Sequence, residues 1–452
     1  MQIFNLPINP NFIPLNLPDK SGVFELFKKI ENFSPNCFFF ESLGPNKNQL
    51  SRYSILGFNP DIIIRGESNK LIVGKKVIKT KNPYELLKQL MPKNIVCHEY
   101  CGGLVGYLSY EAVKLFEPSL KLKANKEFNL FSFGLYTDGI LFDHLTGETK
   151  YFYYKTNRLS VLLKKLKKPL ANNLPIIQKL RKNLNEIQHK KLVNKILKEI
   201  KQGNVFQCEA GLRQEYKISG SLLPVYETLR EVNPSPYMYY VKFNQQILLG
   251  SSPELLLSVN QGQMETFPLA GTAPRGKNKL EDQKLAKHLL NDPKEQAEHK
   301  MLVDLHRNDL GRVAKFGSVK IQKLMDIKKF SHVQHISSQI QGLLRPNQDM
   351  FTALQSCFPA GTLTGAPKIE AIKIIASNEK QARGPYGGAV GFFGFNGNCE
   401  FAIPIRSLFV SKNKGFIQAC GGIVYDSKPN NEYLEIINKL KALSLVLQKF
   451  EI

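Results

Sequence analysis

Over roughly the first 150 positions apolar and polar residues alternate in short bursts broken by turn formers. NCFFFES, YSILGF, DIIIRG, KLIVGKKVIKT and LYTDGILFDHLTGETKYFYY read as strands. Helical periodicity interrupts them at GVFELFKKIENF and PYELLKQLM. From 156 to 187 the alternation fades and Lys and Pro accumulate, which predicts a basic linker between a strand-rich region, 1–155, and a third region, 188–452. A helix over about 188–202 opens that third region. YMYYVKFNQQILLGSSPELLLSV then predicts strand, tight turn and strand, and KLEDQKLAKHLLNDPKEQAEHKMLVDLHRNDLGRVA predicts helices ending near Gly311. Between them FPLAGTAPRG, 267–276, reads as a constrained loop around the small Ala270. Strands return at SVKIQ, HVQHISSQIQG, GGAVGFFGF, CEFAIPIRSLFV and KGFIQACGGIVYD, and a long helix closes the chain from about 430. Runs of antiparallel strands with helices gathered between them predict an α+β fold.

Composition narrows the class. At 452 residues, 42% hydrophobic and 22% charged, the chain is globular and exceeds one ordinary core. No apolar run approaches the roughly 18 to 20 residues that span a bilayer, and MQIFNLPINPNF lacks the pattern of a signal peptide, so a cytoplasmic protein without a membrane segment is expected. The seven cysteines form no CxxC pair and are expected as thiols. VCHEYC brings Cys97, His98 and Cys101 together without a second ligand pair, which argues against zinc. The net charge of +24 is concentrated in 150–201, among few acids and without interleaved aromatics. That is a solvated surface able to steer a small polyanion, and no nucleic-acid partner is expected.

Candidate chemistry gathers after position 200. Glu295 with Glu298, and Glu432 with Glu435, are spaced to lie on one face of a helix, and such hard oxygen donors suit Mg²⁺. Leu302 and Leu305 continue the Glu298 stripe, so that carboxylate is drawn inward and needs a cation, while Glu435 lies one turn before Lys439. Strand alternation turns His335 away from His332. CFPAGTLTGAPKIEAI runs a Gly/Thr/Pro loop holding Thr362 into a helix that begins near Lys368, a place for a carboxylate or phosphate. Tyr386 and Arg406 add a hydroxyl and a forked cation, and Gly421 and Gly422 let a ligand approach the backbone. Together these predict a Mg²⁺ site facing carboxylate-binding loops.

PLAGTAPRG, AEHKMLVDLHRNDLGRV, HVQHISSQIQG, FPAGTLTGAPKIEAI, RGPYGGAVGFF, FAIPIRS and GGIVYDSKPNNEYLEIINKLKAL occur here in the order found in chorismate-utilising enzymes. Over about 20–450 the chain resembles the synthase subunits of anthranilate synthase. The resemblance implies two antiparallel sheets packed as a sandwich and flanked by helices, in two interwoven subdomains with the site in a cleft. It implies Glu298 and Glu435 as Mg²⁺ ligands, with Glu295 and Glu432 in an outer set. The metal would hold the ring carboxylate of chorismate and help its C4 hydroxyl leave. His335 would act near that leaving group and in the later loss of pyruvate. Tyr386, Arg406, Gly421, Gly422 and Lys439 would hold the substrate's carboxylates, and Thr362, Gly271 and Thr272 would line the pocket. Ala270 and Gln207 stand where other members carry lysines that attack C2 or activate water, so both would leave room for ammonia.

The ammonia would come from a separate glutamine amidotransferase chain in a heterodimer or heterotetramer. The product would be anthranilate, the first step toward tryptophan. Resemblance also implies a tryptophan inhibitor site at Glu41, Ser42, Pro236, Tyr237 and Met238, where Phe39 and Phe40 replace the usual leucines. Glu209, Ala210, Ala273, His306, Pro404 and Cys420 depart from the family pattern. The alternatives are aminodeoxychorismate synthase, a chain serving both pathways, and a non-catalytic nucleic-acid-binding relative.

Overall fold

The computed structural model describes residues 6–16, 20–44, 52–92, 95–169, 173–330 and 333–452. His332 lies outside them. Two large antiparallel sheets carry the fold. The first orders its strands Asn11–Leu15, Thr149–Tyr153, Asp138–Asp143, Tyr53–Phe58, Asn36–Glu41, Tyr237–Phe243, Gln246–Ser252, Ser407–Ser411, Lys414–Ile423, Gln207–Ser219 and Ile176–Lys182. The second runs Leu269–Pro274, Val333–Leu343, Gln263–Thr266, Leu255–Asn260, Cys399–Ala402, Ala389–Gly394, Gly103–Leu108, Phe131–Tyr136, Ile62–Glu67, Lys70–Val73 and Lys76–Lys79. Strands from both ends of the chain therefore sit side by side in each sheet.

The sheets face each other across a shared core in which the Phe38 and Tyr136 rings meet at 4.7 Å. Alternation sends the other face of each strand to helices. On the first sheet, Phe39 packs on Phe27 of helix Lys20–Phe33 at 4.9 Å, and Met238 and Tyr240 join Tyr226 of helix Leu223–Val232 in one cluster. On the second, Phe393 stacks on Phe351 of helix Met350–Cys357 at 4.2 Å, and Tyr84 of helix Pro83–Leu90 donates its hydroxyl to the Phe351 carbonyl. Burying each such aromatic contributes on the order of 2 to 3 kcal/mol, so these faces hold the layers together. No helix among the described residues is long and apolar enough to cross a membrane.

Three local readings differ from the sequence-based expectation, and one long strand was not read at all. FPLAGTAPRG is not a loop. Its 269–274 segment pairs with Val333–Leu343, and the register shifts between Ala270 and Ala273 because Gly271 turns into the left-handed region at φ +64. CEFAIPIRSLFV is two strands in two different sheets, because Pro404 has no N–H to give a ladder and Arg406 takes φ +51. The 156–187 stretch carries helix Leu159–Leu166 and the edge strand Ile176–Lys182, whose Ile177 is fully buried. Finally, Gln207–Ser219 is a long strand whose first eight residues are all buried, polar ones included, so no alternation marks it.

Candidate active site

Helix Pro293–Gly311 starts at Asp292, whose side chain accepts from the amides of Lys294 and Glu295, with Pro293 filling the first position that needs no donor. This start directs Glu295 and Glu298 toward the ends of strands Leu269–Pro274 and Val333–Leu343. Glu295 Oε2 comes within 2.8 Å of where a Cβ on Gly271 would sit, so this left-handed residue must be glycine for two reasons. Helix Pro429–Gln448 brings Glu432 and Glu435 to the end of strand Lys414–Ile423: a Cβ on Gly421 would lie 3.3 Å from Glu432 Oε2 and 3.7 Å from Glu435 Oε1. Glu432 Oε2 is buried without a partner. Glu435 is half-exposed and pairs with Lys439 at 2.8 Å, and Lys439 also donates to the Cys420 carbonyl at 2.9 Å.

Gln207 reaches from its strand toward helix Pro293–Gly311. Its Nε2 lies 3.4 Å from Glu209 Oε1 and 3.5 Å from Glu298 Oε1, and its Oε1 is buried with no partner. A Cβ on Gly422 would meet that Nε2 at 2.3 Å. Burial pushes the Glu298 carboxyl up to about 7, reinforced by Glu295, Glu209 and Glu435. Burial likewise raises Glu295 and Glu432. Carboxylates that crowd one another in this way fit a hard dication, which they would bind together with water and substrate oxygens. No group of three or more His, Cys, Asp or Glu among the described residues forms a closed metal site, and Mg²⁺ does not require one.

His335 stands opposite the bulge. Its Nδ1 is 2.8 Å from the Gly271 carbonyl and 3.1 Å from Thr272 Oγ1, and because the carbonyl can only accept, Nδ1 carries the proton. Nε2 is left buried, unprotonated and unpartnered. Burial lowers the ring to about 4, with Arg406 adding to the effect. Thr362 donates to Glu254 at 3.0 Å, and burial pushes that carboxyl up to about 8 although Thr362 and Arg406 act against it. The Arg406 guanidinium makes no hydrogen bond among the described residues. Its own charge is disfavoured by burial and supported by Glu254. Tyr386 OH lies 3.0 Å from Cys420 Sγ. The expected residues thus meet in one region fed by both sheets, with Ala270 buried in the bulged strand beside them.

The chorismate binding enzyme family matches residues 35–444. Anthranilate synthase component 1 of Leptospira biflexa is 49% identical over 448 residues, 98% of this chain and 97% of that protein. The chain belongs to the chorismate-binding enzymes. It is a lyase of the anthranilate synthase component 1 group, and the same name is carried by a protein of Methanothermobacter thermautotrophicus that is 44% identical over 93% of this chain and 91% of its own. The crystal structure of anthranilate synthase component I from Streptococcus pneumoniae superposes with a TM-score of 0.81 at 32% identity, covering 88% of this chain and 93% of that one. The menaquinone-specific isochorismate synthase MenF of Escherichia coli, at 19% identity and TM-score 0.72 over 98% and 96% of the chains, shares the fold.

The five residues assigned to inhibitor binding also meet, around an open cavity between strands Asn36–Glu41, Tyr53–Phe58 and Tyr237–Phe243 of one sheet and Ala389–Gly394 and Cys399–Ala402 of the other. The register separates their roles. Phe40 faces the cavity together with its partner Tyr239, whereas Glu41 and its partner Met238 turn to the helix side. There Glu41 accepts from Arg230 Nε at 2.6 Å, Arg230 Nη2 at 3.0 Å and Tyr226 OH at 2.9 Å, and Met238 is core. Ser42 Oγ is buried and unpartnered.

Sequence reasoning missed Glu254. It is an acid inside the apolar run SSPELLLSV, where a buried carboxylate needs a partner, and that signal was available.

Proposed function

We propose that this member of the family converts chorismate and ammonia to anthranilate and pyruvate, with Mg²⁺ held by Glu298 and Glu435 and supported by Glu295 and Glu432. Bound there, the ion would act as a Lewis acid and neutralise the ring carboxylate. The observation that carries this reading is that carboxylates from two helices crowd one another, Glu435 of one raising Glu295 and Glu298 of the other, with Gln207 reaching Glu298 from strand Gln207–Ser219. Arg406, which has no protein hydrogen-bond partner among the described residues, and Lys439 supply positive charge for the second carboxylate. Glu254 keeps a proton at neutral pH and is the acid available to the departing C4 hydroxyl. The bare Nε2 of His335 is the acceptor available when the C2 proton leaves with pyruvate. Ala270 and Gln207 place no nucleophile of their own in the site, which favours an external ammonia molecule.

A glutamine amidotransferase chain delivers that ammonia, the product enters tryptophan synthesis, and tryptophan in the cavity between the sheets inhibits. The test is to incubate purified protein with chorismate, ammonium and Mg²⁺ and follow anthranilate fluorescence and pyruvate. Product that disappears without Mg²⁺ supports the reading. Accumulation of 4-amino-4-deoxychorismate instead would overturn it in favour of the folate branch.

A further inference from the structure

Three charged residues line the cavity between the sheets, and the protein has committed two of them. Arg52 donates to Asp143 through Nε at 2.9 Å and Nη2 at 2.7 Å. Glu41 is held by Arg230 and Tyr226 on the far side of its strand. Glu400 makes no hydrogen bond or ion pair among the described residues.

Strand register places the Glu400 side chain. In the pairing of Ala389–Gly394 with Cys399–Ala402, Phe392 lies opposite Glu400 and Val390 opposite Ala402, and all four line the cavity. Residues directly opposite in an antiparallel pair share a face, so Glu400 points into the cavity with Phe392. The alternate residues, Cys399 and Phe401, turn to the core, where Phe401 packs on Phe393 at 4.7 Å. Burial pushes the Glu400 carboxyl up to about 7, Glu265 adds to this, and no cation opposes it. Across the cavity the Ser42 hydroxyl is also without a partner. An uncommitted carboxylate from one sheet and an uncommitted hydroxyl from the other line one cavity, together with the aromatic residues Phe40, Tyr239 and Phe392.

We propose that Glu400, and not Glu41, receives the α-ammonium of the amino acid bound in this cavity, with Ser42 completing the polar end of the site. Glu41 instead braces the cavity wall against helix Leu223–Val232 through Arg230. The inference rests on the reading of this cavity as a tryptophan site. A ligand ammonium supplies the cation that a carboxylate in an apolar enclosure needs.

The experiment is calorimetric titration of the full chain with tryptophan and with indole-3-propionate, which has the same ring and carboxylate but no ammonium. Glu400→Gln is expected to weaken tryptophan about 10- to 100-fold, the loss of a charged hydrogen bond, while indole-3-propionate binds as before. Glu41→Gln is expected to change both ligands by the same factor, because it acts on the wall. The ratio of the two affinities is the readout, so a variant that folds poorly lowers both and leaves the ratio intact. Unchanged tryptophan selectivity in Glu400→Gln, with selectivity lost in Glu41→Gln, would overturn the proposal and leave the cavity reading standing. Failure of the unaltered protein to bind either ligand would overturn both.

Discussion

Gly422→Ala tests whether the proposed site depends on Gln207 being where the structure has it. The glycine has no left-handed φ, so alanine brings no backbone strain. Its Cβ would lie 2.3 Å from Gln207 Nε2 and 2.9 Å from Glu209 Oε1. To reach ordinary contact at 3.4 Å the amide must retreat by about 1 Å. The atom that moves is the tip of a flexible side chain, so the melting temperature is expected to fall by no more than about 3 °C. That tip lies in the reacting region, and a misplacement of about 1 Å costs on the order of 100-fold in kcat/KM. The assay is anthranilate formation with saturating ammonium and Mg²⁺, read for Gly422→Ala, Gln207→Ala and the double variant. If the methyl acts by displacing Gln207, the double variant is no slower than Gln207→Ala. Losses that simply multiply, or a Gly422→Ala enzyme within threefold of the original, would refute the steric argument.

Glu298→Gln is expected to abolish Mg²⁺-dependent turnover while leaving the metal-free protein as stable or slightly more so, since it removes a carboxyl held above its usual range by burial; thermal melts with and without Mg²⁺ check both halves. His189 is fully buried on helix Glu186–Lys201, bonded through neither ring nitrogen and held neutral down to about 4 by burial. Unfolded histidine binds its proton near 6.5, so this residue's contribution is complete above that pH and is lost as pH falls toward 4. His189→Phe should therefore flatten that part of the stability profile, as measured by urea midpoints across the range. Arg230→Met leaves the Glu41 carboxylate buried and unpaired, with an expected cost of about 3 to 5 kcal/mol in urea unfolding.

The α+β class was legible because short apolar runs of strand length are bounded by turn residues, even though several of these strands are buried on both faces, and because helical periodicity interrupts them. Legibility failed where polar groups are buried for the site. Strand Gln207–Ser219 hides Gln207, Glu209, Arg213 and Gln214 inside, so its pattern imitates neither a strand nor a helix. The Glu-x-x-Glu pairs were legible because helical spacing alone puts both carboxylates on one side. Glu41 was a different matter. The resemblance carried the residue to a strand that borders the cavity, and one step of alternation decided that its side chain leaves the cavity and that Glu400 enters it.

Two places where the chain passes from one sheet to the other lie side by side, and they bring the two sites together. Between Gln246–Ser252 and Leu255–Asn260 the crossing carries Glu254, and between Cys399–Ala402 and Ser407–Ser411 it carries Arg406. The Ile403 amide donates to the Glu254 carbonyl at 3.1 Å, and Ser252 Oγ donates to the Ile403 carbonyl at 2.7 Å. Ala402, next in the chain, lines the cavity between the sheets, while Glu254 and Arg406 lie at the candidate active site. A ligand that shifts strand Cys399–Ala402 must therefore either move both crossings or break these bonds. Ser252→Ala removes one tie without touching either ligand. It is expected to raise the tryptophan concentration needed for half-inhibition at least threefold, about 0.7 kcal/mol of coupling, while calorimetric tryptophan affinity without chorismate stays the same. An equal change in affinity and inhibition would mean that Ser252 only shapes the cavity, and that the crossings do not carry the signal.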